Sequence, residues 1–327
     1  MDKPRLRLRR FAPLARPAIR RLLRYLLMVM PVLLSACATP SDIPTWFDSI
    51  QRLLIHTVQV QGYRIAYLDA GKGAPVILVH GFGGSLWQWE YQQTALSADL
   101  RVITLDLLGS GLSDKPDLDY TPTQMVEFFR AFMDALGIQR AALVGNSMGA
   151  GLVIGMALTY PDRVDRLILI GGMPNQVLEK LASPLIKRAV ESRSPAWLAT
   201  VGNWFFGRWL TESVLKEIVH DPGLLTPAVV ERANRNRQRP GLIPAVMSLA
   251  RNLPLWEEGF ARQLSQIRHP TLVLWGAEDR VFPPQVGREL RATIQGSTFI
   301  LIAGAGHIPQ WERPEAVNPI LLKFIQP

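Results

Sequence analysis

Three residue types that can work together in nucleophilic catalysis each follow an apolar run in this chain. Ser147 lies in Gly145-Asn146-Ser147-Met148-Gly149, after the apolar run 141–144 and before the small and apolar run 150–160. Strand, Gly-x-Ser-x-Gly, helix is the setting in which a serine hydroxyl stands clear of the backbone on a tight turn. A Cβ at either flanking glycine would crowd the neighbouring strand or helix. The new helix points its unpaired N–H groups and positive end at the place where negative charge develops. A serine hydroxyl is a weak nucleophile at neutral pH and needs a base. His307, in Gly304-Ala305-Gly306-His307, offers an imidazole that can take and return one proton. Asp279, at the end of Trp275-Gly276-Ala277-Glu278-Asp279, can fix its tautomer and stabilise the imidazolium.

Positioning these groups falls to alternating strands and helices. Thr57 to Val60 and Tyr63 to Leu68 flank Gln61-Gly62 and suggest a hairpin. Buried strands are expected at 75–79, 101–107, 141–144, 164–170, 271–275 and 297–302. Helices are expected at 86–96, 284–294 and 314–325. Another starts at Thr121-Pro122-Thr123-Gln124, with Thr as N-cap, Pro first and Gln three residues after the cap. Strand–helix alternation stops over 173–268, where helix-like segments run without a convincing strand. The pattern predicts a mostly parallel sheet covered on both faces, with its site beyond the carboxyl ends of the strands.

His80-Gly-Phe-Gly-Gly84, Asp106-Leu-Leu-Gly-Ser-Gly-Leu-Ser-Asp114, the serine motif, Trp275 to Asp279 and Gly306-His307 together resemble the α/β-hydrolase family over roughly residues 55–327. The order Ser, Asp, His is that family's order. The resemblance implies an α/β-hydrolase fold with core 55–172 and 269–327, and a helical cap over 173–268. It implies an oxyanion hole from the backbone N–H groups of Phe82 and Met148. His80 then becomes a brace for the oxyanion loop, and Asp114 a brace within its own loop. Asp106 is the second choice for the acid, because some relatives place it after that strand; Glu278 fits the family pattern less well. His56, His220 and His269 are expected at the surface or in packing. Ser at the elbow excludes relatives with an Asp nucleophile. No cofactor is called for, and no metal-ligand cluster or phosphate loop competes.

The motifs resemble two enzyme classes. The elbow and His80 to Gly84 look like capped carboxylesterases and lipases acting on a small ester or lipid through an acyl-enzyme on Ser147. The elbow and Gln310-Trp311-Glu312 also look like hydrolases that split carbon–carbon bonds in ring-cleavage products. Those enzymes usually carry an aromatic residue after the histidine and Gly-Pro-Gly in the oxyanion loop; here Ile308 and Phe82-Gly83-Gly84 depart from both. Ester cleavage is therefore the expected reaction, with carbon–carbon cleavage as the alternative and a non-catalytic binding protein as a third reading. In the cap, Trp197, Trp204, Phe205, Phe206, Trp209 and Trp256 are expected to form a small core, with some lining a pocket above Ser147. Arg232, Arg235, Arg237 and Arg239 are expected on a solvated helix face, with contact to anionic lipid heads as the alternative.

The net charge of +9 is mostly local: residues 1–36 hold nine Lys/Arg and one acid, a net of +8, which leaves +1 for the rest. Nucleic-acid binding loses its main support. A basic region, the short apolar run 25–36 and Leu34-Ser35-Ala36-Cys37 resemble the signal of bacterial lipoproteins. That predicts a signal peptide 1–36, acylation of Cys37, a tether 37–54 and attachment to the envelope, by resemblance at the outer membrane. Cys37 is the only cysteine, so no disulfide forms within the chain.

Overall fold

In the computed structural model, residues 55–326 are described; the leader, Cys37 and the tether lie outside them. Eight strands form one sheet in the order β1-β2-β4-β3-β5-β6-β7-β8. β1 (Ile55–Val60) and β2 (Tyr63–Ala70) form the expected hairpin, with Gln61 and Gly62 both at positive φ, 50° and 86°. That is the turn whose twist matches paired strands. β2 also runs antiparallel to β4 (Arg101–Leu105), and the remaining pairs are parallel. They join β3 (Pro75–Val79), β5 (Ala141–Asn146), β6 (Val164–Ile170), β7 (Thr271–Gly276) and β8 (Thr298–Ile302). This confirms the expected α/β-hydrolase fold.

Period-two alternation divides the core into two layers. Ile77, Val79, Leu143, Leu167, Leu169 and Val273 face one way, onto α2 (Pro122–Ala135), α3 (Met148–Thr159) and the inserted segment. Val76, Leu78, Ala142, Val144, Ile168 and Leu272 face the other way. They meet α1 (Glu90–Leu96), preceded by a 3-10 turn at Leu86–Trp89, and α12 (Pro314–Ile325). α2 starts with the predicted capping box: Thr121 Oγ1 accepts from Gln124 N while Gln124 Oε1 accepts from Thr121 N.

Between β6 and β7 the chain makes six helices: α4 (Val177–Lys180), α5 (Pro184–Glu191), α6 (Ala196–Ile218), α7 (Pro227–Arg237), α8 (Leu242–Arg251) and α9 (Leu253–Gly259). α10 (Pro284–Thr293) and α11 (Pro309–Glu312) complete the series. Two expectations for this insertion hold only in part. Trp256 is buried, but Trp197, Trp204, Phe205, Phe206 and Trp209 are between 48% and 71% exposed, so they form neither core nor pocket. The physical reason is that α6 turns its small and polar face inward: Asn203, Gly207 and Thr211 are buried. The arginine cluster is not a free cationic face either. Arg232 makes a fork of hydrogen bonds to Glu90 at 2.8 and 2.9 Å and lies over the Trp87 ring. Arg237 donates to Asn203 at 2.6 Å, Arg235 pairs with Glu231, and burial pushes the Arg239 guanidinium below its ordinary pKa.

Candidate active site

Parallel register sets the level of the site. Val79 of β3 pairs with Leu105 and Gly145, Asn146 pairs with Ile170, and Gly276 pairs with Ile302. The carboxyl ends of these strands therefore finish at one edge, and His80, Ser147, Asp279 and His307 come from the loops beyond it.

Ser147 occupies φ 54°, ψ −118°, a backbone region that side chains avoid and that costs about 1–3 kcal/mol. The glycines explain how the turn closes. A Cβ on Gly145 would sit 2.3 Å from Gly149 O, and one on Gly149 would sit 2.3 Å from Val79 O. Ser147 N donates to Ile170 O at 2.9 Å, which ties the turn to β6. The side chain of Asn146 does the same from beneath: Nδ2 donates to Ile170 O and His307 O, both at 3.1 Å. That link between the elbow and the histidine loop was not anticipated from sequence; its only signal was a polar residue ending an apolar strand.

His307 Nδ1 donates to Asp279 Oδ2 at 2.8 Å, and the Asp279 side chain is fully buried. Asp279 Oδ1 accepts from Val281 N and Phe282 N at 2.8 and 3.0 Å, so the carboxylate is held from its own loop. Asp106 is committed elsewhere. Its two oxygens accept from Leu86 N at 2.7 Å and Leu112 N at 2.6 Å. A Cβ on Gly111 would lie 2.0 Å from that carboxylate, so the loop wraps it tightly. Geometry thus makes Asp279 the partner of His307 and Asp106 a loop brace. Asp114 braces too, accepting from Arg64 N at 2.8 Å.

His80 is buried. Its Nδ1 donates to Gly81 O at 2.8 Å and its Nε2 accepts from Leu107 N at 3.1 Å. Those partners require the neutral ring, and burial lowers its pKa from the ordinary value. Gln88, also missed from sequence, holds the next residue: its Oε1 accepts from Gly81 N at 3.1 Å. The loop comes close to the serine, since a Cβ on Gly81 would stand 3.2 Å from Ser147 Cβ. Among the described residues, neither Phe82 N nor Met148 N donates a hydrogen bond, and both residues line the same pocket as Ser147. Two unengaged donors at a preformed site can receive an oxyanion without reorganisation. No hydrogen bond joins the Ser147 hydroxyl to the imidazole among the described residues; such pairs often tighten only around substrate.

The pocket above Ser147 is apolar. Met125, Met173, Leu181, Val190, Phe260 and Phe282 contribute to it, and none of the 22 described residues lining it is charged. Trp256 also lines it and donates Nε1 to Pro174 O at 2.9 Å.

The insertion reaches the histidine loop directly. His307 N donates to Ile218 O, the last residue of α6, at 2.7 Å. Glu312, on α11, accepts from Gly306 N and from His220 N, each at 2.7 Å. Burial raises the pKa of this carboxyl, while the backbone donors pull it down. Ile308 points away from the pocket into a cluster with Trp87, Val219 and Trp311.

Residues 74–314 match the family described as alpha/beta hydrolase fold. The chain is 30% identical over 274 residues to a 2-hydroxy-6-oxononadienedioate/2-hydroxy-6-oxononatrienedioate hydrolase from Comamonas testosteroni, covering 81% of this chain and 92% of the relative. It is also 30% identical over 274 residues to a 2-hydroxy-6-oxo-6-phenylhexa-2,4-dienoate hydrolase from Burkholderia cepacia, again 81% and 92%. Among solved structures, a meta-cleavage product hydrolase from Pseudomonas fluorescens IP01 superposes with a TM-score of 0.72 at 28% identity, covering 83% of this chain and 98% of the other. Sheet order, elbow, acid–histidine pair and these matches agree: the chain belongs to the α/β-hydrolase family and is a hydrolase of that fold.

Proposed function

We propose that this protein hydrolyses a carbon–carbon bond in a 2-hydroxy-6-oxo-dienoate, a ring-cleavage product of an aromatic compound. This corrects the expectation of ester cleavage. The observation that carries it is the similarity to hydrolases named for such dienoates, at 30–32% identity over about four-fifths of the chain. One of the two sequence features that argued against it loses its force in the structure. Ile308 faces a packing cluster, so its identity says little about substrate. The other stands: Gly83, where those enzymes carry proline, has φ 65°, a conformation proline cannot adopt.

In this reading Ser147 is the nucleophile, His307 the base and Asp279 its orienting acid, with Phe82 N and Met148 N as oxyanion donors. The carbon next to the 6-oxo group is vinylic in the dienol and would leave as an unstabilised anion. A proton must first move from the 2-hydroxyl to that carbon, giving a 2-oxo tautomer. Ser147 Oγ then attacks the 6-oxo carbon while His307 takes its proton, and the oxyanion is received by the two N–H groups. As the carbon–carbon bond breaks, its electron pair is delocalised to the 2-oxo group and His307 returns the proton. Water, activated by His307, releases the acyl group as a carboxylic acid. The sum is addition of one water across one bond.

The test is direct. The protein is incubated with 2-hydroxy-6-oxo-6-phenylhexa-2,4-dienoate, and loss of the dienoate chromophore is followed together with release of benzoate. Stoichiometric benzoate that disappears in Ser147→Ala supports the reading, and absence of dienoate turnover by folded protein rejects it.

The reading of residues 1–54 is likewise a proposal. The basic and apolar leader before Leu34-Ser35-Ala36-Cys37 supports cleavage at Cys37, its acylation and attachment to an envelope membrane. Mass spectrometry of the mature N-terminus tests it, and a chain beginning downstream of Cys37 rejects it.

A further inference from the structure

α6 is inverted with respect to an ordinary surface helix. Its buried positions include Asn203, Gly207 and Thr211, while Trp197, Leu198, Trp204, Phe205, Phe206 and Trp209 are exposed. Surface helices turn the apolar side to the core. The five aromatic side chains alone leave on the order of 600 Å² of apolar surface open, at the upper end of what a monomer presents as its largest patch. No charge interrupts this face from residue 196 to 207; Arg208 is the first ionised residue of the helix. From these observations we infer that α6 is a membrane-docking helix, lying in the interfacial region of an anionic lipid bilayer with its aromatic face down.

Composition and charge select lipid over a second copy of the chain. Trp and Phe are the residues of the membrane interface, where a ring sits at the level of the headgroups. Residues 173–268 carry thirteen Lys/Arg and eight acids, a net of +5, while residues 37–172 and 269–327 carry fourteen and eighteen, a net of −4. The insertion is thus drawn to an anionic surface and would repel another insertion of the same charge. Arg188 and Arg193 stand exposed just before α6. The Arg208 side chain is 54% exposed and pairs with Glu231 at 2.7 Å. Among the described residues no helix is long and apolar enough to cross a membrane, so docking is peripheral.

Reach is not limiting. From a lipid on Cys37 the 18 residues 37–54 can span at most about 60 Å. A folded body of this size is roughly 50 Å across. Acylation would turn weak interfacial docking into an intramolecular event. The inference itself needs neither acylation nor a particular reaction at Ser147.

The test uses the full chain with Cys37→Ser, which removes its sole cysteine. Phe205→Cys is introduced in one sample and Arg140→Cys in another, because Arg140 is exposed on the sheet domain. Each is labelled with an environment-sensitive nitrobenzoxadiazole dye and mixed with phosphatidylglycerol/phosphatidylethanolamine vesicles. The expected result is a several-fold intensity rise and a blue shift at position 205, with little change at 140. Phe205→Asp/Trp209→Asp, read by vesicle flotation, should partition at least about tenfold more weakly. No change at 205, or equal changes at both positions, overturns the inference. A blue-shifted 205 signal without vesicles overturns it too, pointing to a second copy if it grows with protein concentration and to the chain's own apolar leader if it does not.

Discussion

Removing the Glu312 carboxylate should separate catalysis from overall stability. This one side chain accepts from Gly306 N, next to His307, and from His220 N, just beyond α6. A hydrogen bond to a charged acceptor contributes about 1.5–3 kcal/mol, and a buried donor left without an acceptor costs about 1–3 kcal/mol. Burial already disfavours the charged form of Glu312, which offsets part of that sum. Glu312→Ala should therefore lose about 3 kcal/mol, or roughly 6–10 °C in Tm for a domain of this size. Glu312→Gln keeps one acceptor oxygen and should lose about half as much. Activity should fall further than the melting curve implies, because a displacement of about 1 Å at a catalytic group can cost a hundredfold. The assay is kcat and KM on the phenyl dienoate beside a thermal melt. kcat should fall steeply in Glu312→Ala and partly recover in Glu312→Gln, with KM nearly unchanged. An alanine variant with Tm within about 2 °C and kcat within about twofold of the parent would refute the argument.

Asp279→Asn should lower kcat on the phenyl dienoate by orders of magnitude with a nearly unchanged melt, because both backbone donors share Oδ1, which an amide keeps. Asp106→Asn should lower Tm first, because its two backbone donors use both oxygens and an amide keeps only one. Reversed effects in kinetics and calorimetry would make Asp106 the acid. The lining of the pocket carries no charge, so it should favour a 6-phenyl dienoate over a nonadienedioate, which adds a second carboxylate to the one that both substrates share. At a penalty of several kcal/mol, kcat/KM should differ by at least about a hundredfold, and equal values would contradict it. His80 is held neutral, with its folded pKa below the ordinary 6.5. The unfolded chain therefore binds more protons as pH falls through that value, so stability should drop by up to about 1.4 kcal/mol per pH unit there. His80→Asn should flatten that slope in urea titrations between about pH 7 and 5.

The elbow was legible in sequence because its glycines answer to a local constraint: Cβ atoms at 145 and 149 would strike Gly149 O and Val79 O. α2 was legible because Thr121 and Gln124 satisfy each other's backbone N–H groups and Pro122 brings no N–H to the first turn. The parallel sheet followed from apolar runs buried on both faces. What sequence could not show is which side of α6 faces inward. Helical spacing groups residues onto a face, but the choice of buried face belongs to the surface it meets, and here that surface takes Asn203, Gly207 and Thr211. The bond to be cleaved was misread for a similar reason, as Ile308 adjoins His307 in sequence yet faces Trp87 and Trp311. The Glu312 link was hidden because its donors lie 6 and 92 residues away.

The bond from His307 N to Ile218 O bears on how this enzyme can be rebuilt. Chimeras that exchange insertions between relatives treat the sheet domain as a finished chassis. Here part of the histidine's support arrives with the insertion, through Ile218 and His220. Residues 216–220 and 306–312 therefore form one cassette, split across the chain, that has to be inherited together. A donor insertion joined at 173 and 268 would bring its own version of the first half and meet a foreign second half. Recombination that moves both halves should keep the imidazole seated, while recombination that moves one should yield folded proteins with an idle serine.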